Sequence, residues 1–272
     1  MRVIVAMKQV LDPEAPPSLL EVAPGGFEVS GRGVAPRLDP YSMYALAAAQ
    51  GLRDAGHQVH IHVVGVGASP SRNLYLWALA AGADGVSLLD TAGDPVAFGD
   101  GWATASLLDA LIRKVSPEGF DLVLCGRRAA DTNAGAVGAA LAALLEVPVL
   151  SLARYVQVDR AAGDNSGRVV VDQLSDHGAN RLACPLPAVV TVSHEVGEVG
   201  SVPFAKVVEA KKMPFEVLSR SEVDGPGILD PTPRAPGLLG MHARDDRRTC
   251  ELIEDPDARE AGRILARRLG GG

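Results

Sequence analysis

Along the first half of the chain, short runs of β-branched and aliphatic residues alternate with longer segments whose apolar residues recur at helical spacing. The runs RVIVAM (2–7), VHIHVVGV (59–66), GVSLLD (85–90) and FDLVLCG (120–126) read as strands in this alternation. The segments 41–53, 71–81 and 97–115, and the Ala-rich stretch that follows the last strand and ends about residue 145, predict helices. Asp39 reads as an N-cap with Pro40 in the first turn, and Ser71 as a second N-cap. This alternation predicts a doubly wound, mostly parallel α/β sheet of Rossmann-like type.

Beyond Pro148 the pattern changes. SLARYVQVD and RVVVDQL are strand-like runs joined by the turn-rich AAGDNSG, which predicts an added β-hairpin. LPAVVTVS (186–193) follows as a buried strand. Residues 219–249 are rich in Gly, Pro and charge and read as an extended arm. The last segment, 255–269, carries Ala261, Ile264, Leu265 and Leu269 on one helical face, for docking on a partner or on its own body. The expected organisation is an α/β domain over 1–218, including a partner-docking loop at 194–212, and a C-terminal arm and helix over 219–272.

Composition narrows the function classes. Of 272 residues 47% are hydrophobic but only 4% aromatic, so the core is built of Ala, Val and Leu. A net charge of −7 argues against a surface built for nucleic acid, which needs a basic stripe. The longest apolar run, 139–150, is broken by Glu146 and too short to span a bilayer, so no direct membrane insertion is expected. The three cysteines, Cys125, Cys184 and Cys250, form no CxxC, and the first residues enter a strand at once rather than a signal peptide. The expectation is a cytoplasmic protein without a metal cluster.

One stretch stands out chemically. CGRRAADTNAGAVG (125–138) follows a strand, contains few bulky side chains and holds two arginines, an aspartate and three glycines. A strand, Gly126, small residues and a helix starting near Gly135 would aim free backbone N–H groups at an anion. Gly135 and Gly138 would permit close approach, and Arg127 or Arg128 could pair with phosphate. Asp131 would instead accept hydrogen bonds from backbone, ribose or an adenine amino group. The plainer alternative is a Gly-rich βα loop without a ligand. GVGASP (65–70) is half of a dinucleotide fingerprint, with Pro70 where a third glycine belongs. His60 and His62 share one face of a strand, but no third metal ligand can be assigned. No phosphate-binding GxxxxGK[ST], HExxH or GxSxG motif occurs.

Taken in order, KQV, DPYSMYAL, ALAAGADG, DLVLCGRRAADTNAGAVG, LPAVVTV and EAKKMPFEV resemble the electron transfer flavoprotein β subunit family. The resemblance covers most of 1–217. It implies an adenine-nucleotide-binding fold and an electron carrier rather than an enzyme, with no acid, base or nucleophile of its own. It implies a heterodimer with an α subunit that shares FAD, a flavin-dependent dehydrogenase as electron donor, and in one branch a quinone oxidoreductase. It also implies AMP, or a second FAD in electron-bifurcating members, within this subunit. Carried over by position, the nucleotide would meet Ala6, the helix start Asp39, Pro40, Tyr41 and Ser42, Val66, and the loop residues Gly126, Arg127, Arg128, Ala129, Asp131, Thr132, Asn133, Ala134, Gly135, Ala136 and Val137. In the docking loop Glu198 is retained and Phe204 stands where the family has an anchoring leucine. The alternative from another class is a standalone adenine-nucleotide-binding regulatory protein of stress-protein-like fold.

Overall fold

The computed structural model describes residues 1–23, 29–92, 100–160, 167–223, 240–242, 250 and 252–270. The chain divides into two units, Met1–Met241 and His242–Gly272. In the first unit, β1 (Arg2–Ala6) is followed by four short strands, β2 (Gln9–Leu11), β3 (Leu20–Val22), β4 (Val29–Gly31) and β5 (Pro36–Leu38). Then come α1 (Pro40–Asp54), β6 (His60–Gly67), α2 (Arg72–Ala80), β7 (Gly85–Asp90), α3 (Gly101–Val115), β8 (Leu122–Gly126) and α4 (Val137–Leu145). The remainder is β9 (Val149–Arg160), β10 (Gly167–Ser175), β11 (Gly178–Pro185), β12 (Ala188–Val192), α5 (Phe204–Ala210), β13 (Phe215–Ser219) and the single turn α6 (Arg220–Val223). The second unit contains α7 (Ala258–Leu269).

Nine strands form one sheet in the order β11-β10-β9-β12-β8-β1-β6-β7-β13. All pairings from β9 to β13 are parallel, while β10 pairs antiparallel with β9 and β11. Alternate side chains serve opposite faces. Val3, Val5, Ile61, Val63, Leu122 and Leu124 pack with α1 and α2 residues such as Leu46 and Tyr75. Ile4, Val64, Val123 and Cys125 pack with α3 and α4 residues such as Leu111 and Leu141. The doubly wound α/β fold expected from the strand–helix alternation is therefore present.

Four details differ from the sequence reading. The expected hairpin is part of a three-stranded antiparallel extension, because β11 pairs along the whole of β10; its exposed, mixed-polarity residues carry no core pattern. FEVLS, to which the sequence pattern assigns no element, forms the edge strand β13 on β7, and α6 then buries Val223, so the first unit continues past residue 218. Ser71 stands at the N-cap of α2 but makes no side-chain cap; its N–H donates to Gln9 Oε1 at 2.7 Å. The last helix begins at Ala258, where the Asp257 side chain accepts from Arg259 N, rather than at Asp255. The turn 161–166, the expected helix start at Ala97 and most of the arm 219–249 lie outside the described residues.

Candidate functional site

After β7 the chain crosses the sheet and returns on the other side of β1 as β8. Where strand order reverses, the loops at the carboxyl ends diverge and leave a crevice, the usual ligand position in open α/β sheets. A cavity of about 250 Å³ lies there, lined by the ends of β1, β6 and β8 and by the amino ends of α1, α3 and α4.

The cavity floor is fixed by one buried carboxylate. Asp39 caps α1: one carboxylate oxygen accepts from Ser42 N at 3.0 Å and Ser42 Oγ at 3.2 Å. The other accepts from Ala130 N at 2.7 Å, inside the 125–138 loop. Ser42 Oγ in turn accepts from Lys8 N at 3.1 Å, and Asp39 N donates to Lys8 O at 2.8 Å. The end of β1, the start of α1 and the loop are thus tied together. Burial holds the Asp39 carboxyl above the ordinary value, against the lowering effect of the Ala130 and Ser42 hydrogen bonds.

The loop itself is shaped by two left-handed residues, Asn133 (φ 55°) and Gly135 (φ 66°). The helix therefore begins at Val137 and not near Gly135. Ala136 occupies its N-cap position and offers no side-chain acceptor. With no capping side chain at its start, α4 leaves first-turn N–H groups for an external acceptor. By contrast α3 is capped: Asp100 Oδ1 accepts from Ala103 N at 2.9 Å.

Ala6, Asp39, Ser42, Val66, Gly126, Arg128, Ala129, Asp131, Thr132, Ala134, Gly135, Ala136 and Val137 all line the cavity. Pro40, Tyr41, Arg127 and Asn133 do not. Tyr41 lies beside the cavity as the acceptor of Arg128, and Arg127 lies against its ring. Burial opposes ionisation of the Tyr41 phenol, but hydrogen bonds and charge from Arg128 and Arg127 prevail and lower its value. Asp131 is paired with Lys8 Nζ at 2.7 Å and accepts from Thr132 N. Gly138 does line the cavity, yet a Cβ there would collide with Thr191 Cγ2, so its smallness serves packing of α4 on β12. In GVGASP, Gly65 is likewise a packing residue, facing Tyr75 Oη and Met7 O, whereas Gly67 is open and lines the cavity with Ala68.

Sequence reasoning missed Met7, Lys8, Thr91, Asp100, Gly101 and Thr104, which also line the cavity. Asp100 was detectable as an N-cap before an apolar helix; Lys8 lay in the quoted KQV, but only the fold carries its charge to Asp131. His60 and His62 point elsewhere: they sit at the amino half of β6, with His62 Nε2 2.8 Å from Ser87 Oγ. Burial pushes the Cys125 thiol up to about 12, which keeps this cavity-lining sulfur from acting as a thiolate nucleophile.

The residues fit an adenine nucleotide. Met7, Val66, Leu108 and Val137 offer an apolar wall, the start of α4 offers N–H donors, and Arg128 supplies positive charge. Fold and site together define a doubly wound α/β protein with a cleft at the carboxyl edge of its sheet, bordered by the uncapped start of α4. The electron transfer flavoprotein domain model matches residues 27–223, and the chain belongs to the electron transfer flavoprotein β subunit family. It is 29% identical over 200 residues to an electron transfer flavoprotein subunit beta of Megasphaera elsdenii, covering 73% of this chain and 70% of that one. It is 27% identical over 225 residues to the caffeyl-CoA reductase–Etf complex subunit CarD of Acetobacterium woodii, covering 82% and 80%. It is 26% identical over 266 residues to a mitochondrial electron transfer flavoprotein subunit beta of Oryza sativa subsp. indica, covering 98% and 94%.

Proposed function

We propose that this chain is the β subunit of a heterodimer, pairs with a flavin-sharing α subunit, and holds an adenine nucleotide in the cleft, as AMP or as part of a second FAD. The uncapped start of α4, facing a cleft walled by small and apolar residues, carries the nucleotide reading. When bound, FAD supplies the redox chemistry, taking electrons from a dehydrogenase and passing them to a later acceptor. The chain's own residues bind and orient. The α4 N–H groups take the phosphate, Asp39 holds the loop on α1, and the Lys8–Asp131 pair bridges the end of β1 to the loop. The C-terminal arm and helix dock on the α subunit in this reading. A cytoplasmic location fits three cysteines that are all unpaired, and among the described residues no helix is long and apolar enough to cross a membrane.

The deciding experiment is co-expression with a candidate flavin-sharing α subunit, followed by mass spectrometry of the released nucleotides. One FAD with AMP, or two FAD, per heterodimer is expected. A captured partner with neither nucleotide in this subunit would overturn the cleft assignment, and no captured partner would overturn the heterodimer.

Electron donors are proposed to dock at α5. Phe204 is 80% exposed at its first residue and Val208, one turn on, is 46% exposed, so both form an apolar projection, and Glu198 earlier in the loop is also exposed. Phe204→Ala is expected to weaken dehydrogenase binding about tenfold or more while leaving stability within about 0.5 kcal/mol. Pulldown and thermal unfolding measure the two; undiminished capture would remove Phe204 as the anchor.

A further inference from the structure

Arg127 and Arg128 are adjacent cations lying against one ring, with guanidinium carbons 5.4 and 5.1 Å from the Tyr41 centroid. Arg128 donates to the Tyr41 phenol oxygen through Nε at 2.9 Å and Nη2 at 2.7 Å. These two bonds fix the plane of the fork and leave Nη1 without a hydrogen-bond partner among the described residues. The Nε of Arg127 is buried and also has no partner. Such a group carries a desolvation cost; Arg127 does not line the cavity, so it acts on the cleft through its charge.

The charges are unbalanced in the same way. Lys8 is neutralised by Asp131 at 2.7 Å. Neither Arg127 nor Arg128 forms an ion pair among the described residues. Glu195, whose charge Arg127 feels, stands beside His194, with 3.3 Å between Glu195 Oε2 and His194 Nδ1. Two like charges side by side, one of them lining the cleft, favour an anionic group between or beside them. Arg128 lies at the start of the loop, the α4 donors at its end, and both border one cavity.

We infer that Arg128, oriented by Tyr41 and backed by Arg127, is a second anion subsite of the cleft, matched to the second phosphate of a nucleoside diphosphate group. The inference rests on the adenine-nucleotide reading of the cleft. A monophosphate held at the start of α4 would leave both arginines unneutralised. A diphosphate reaches a second point of attachment, where a guanidinium fork pairs with two phosphate oxygens. The cleft thereby prefers nucleotides that carry a diphosphate.

The test titrates the full chain, freed of nucleotide, with AMP and with ADP by calorimetry. ADP is expected to bind about 10- to 100-fold more tightly than AMP, the range of one or two charge-assisted hydrogen bonds. Arg128→Gln is expected to abolish that preference by weakening ADP more than AMP; Arg127→Gln is expected to reduce it. Tyr41→Phe keeps the ring and removes the orienting acceptor, so it should reduce the preference less than Arg128→Gln. Arg128→Lys, which keeps charge but not the fork, gives the same comparison if the glutamine variant does not fold. AMP binding with no gain for ADP, or equal weakening of both by Arg128→Gln, would sink the subsite alone. Failure of both nucleotides to bind would withdraw the nucleotide reading with it.

Discussion

Replacing Asp39 by alanine is expected to lower stability by about 2 kcal/mol and to release the 125–138 loop from α1. The carboxylate accepts from Ala130 N, Ser42 N and Ser42 Oγ, and the residue is 1% exposed. Each buried N–H left without an acceptor costs about 1–3 kcal/mol, and loss of an N-cap typically about 1 kcal/mol. Removing the buried carboxylate relieves part of that cost, because its burial is already unfavourable enough to raise its pKa. Asparagine is no full substitute: its amide turns a donor toward donors that the carboxylate satisfied. The pH dependence has a definite sign. Asp39 titrates higher in the folded than in the unfolded chain, so its stability contribution is fully present below the unfolded value of about 3.9 and is lost as pH rises through the folded value. Urea denaturation of the wild type and Asp39→Asn across the acidic range should show a component that falls with rising pH in the wild type alone. Parallel profiles would show that the carboxyl is not raised.

Gly126→Ala is expected to destabilise the fold by about 1–3 kcal/mol, the usual cost of overpacking. An added Cβ would stand 2.6 Å from Tyr41 Cβ, 2.8 Å from its carbonyl carbon and 2.9 Å from its carbonyl oxygen. Two of these are backbone atoms in the first turn of α1, so relief requires the helix to move off β8. That movement would strip Ala45, Leu46 and Ala49 of their packing and shift the Tyr41 acceptor from Arg128. Gly67→Ala is the matched control at the same sheet edge, since nothing lies within 4 Å of the added carbon. Thermal unfolding of both variants separates the cases. Equal midpoints would mean that α1 is free to move from the strand end.

The fold was legible where local pattern and burial agree. The runs that became β1, β6, β7, β8 and β12 are apolar because helices cover both faces, and that constraint is written directly into composition. β11 and β13 were missed for the complementary reason. Exposed edge strands are held by backbone pairing to β10 and β7, which any sequence can make and no side-chain pattern announces. The cap at Asp39 was visible from Asp-Pro before a periodic segment, and the structure adds Ala130 as its distant partner.

The candidate site divides in the same way. By itself the chain specified a doubly wound α/β fold, a strand–loop–helix at 122–145 and small residues where backbone meets a cleft, because those features depend on neighbours in sequence. Only the tertiary structure decided what each small residue is for. Gly126 and Gly138 give room to Tyr41 and Thr191, while Gly67 gives room to the cavity. It alone paired Lys8 with Asp131 and set two unneutralised arginines on one tyrosine ring. These contacts join residues far apart along the chain, and their energies depend on distance and burial, which exist only once the sheet has brought the strand ends together.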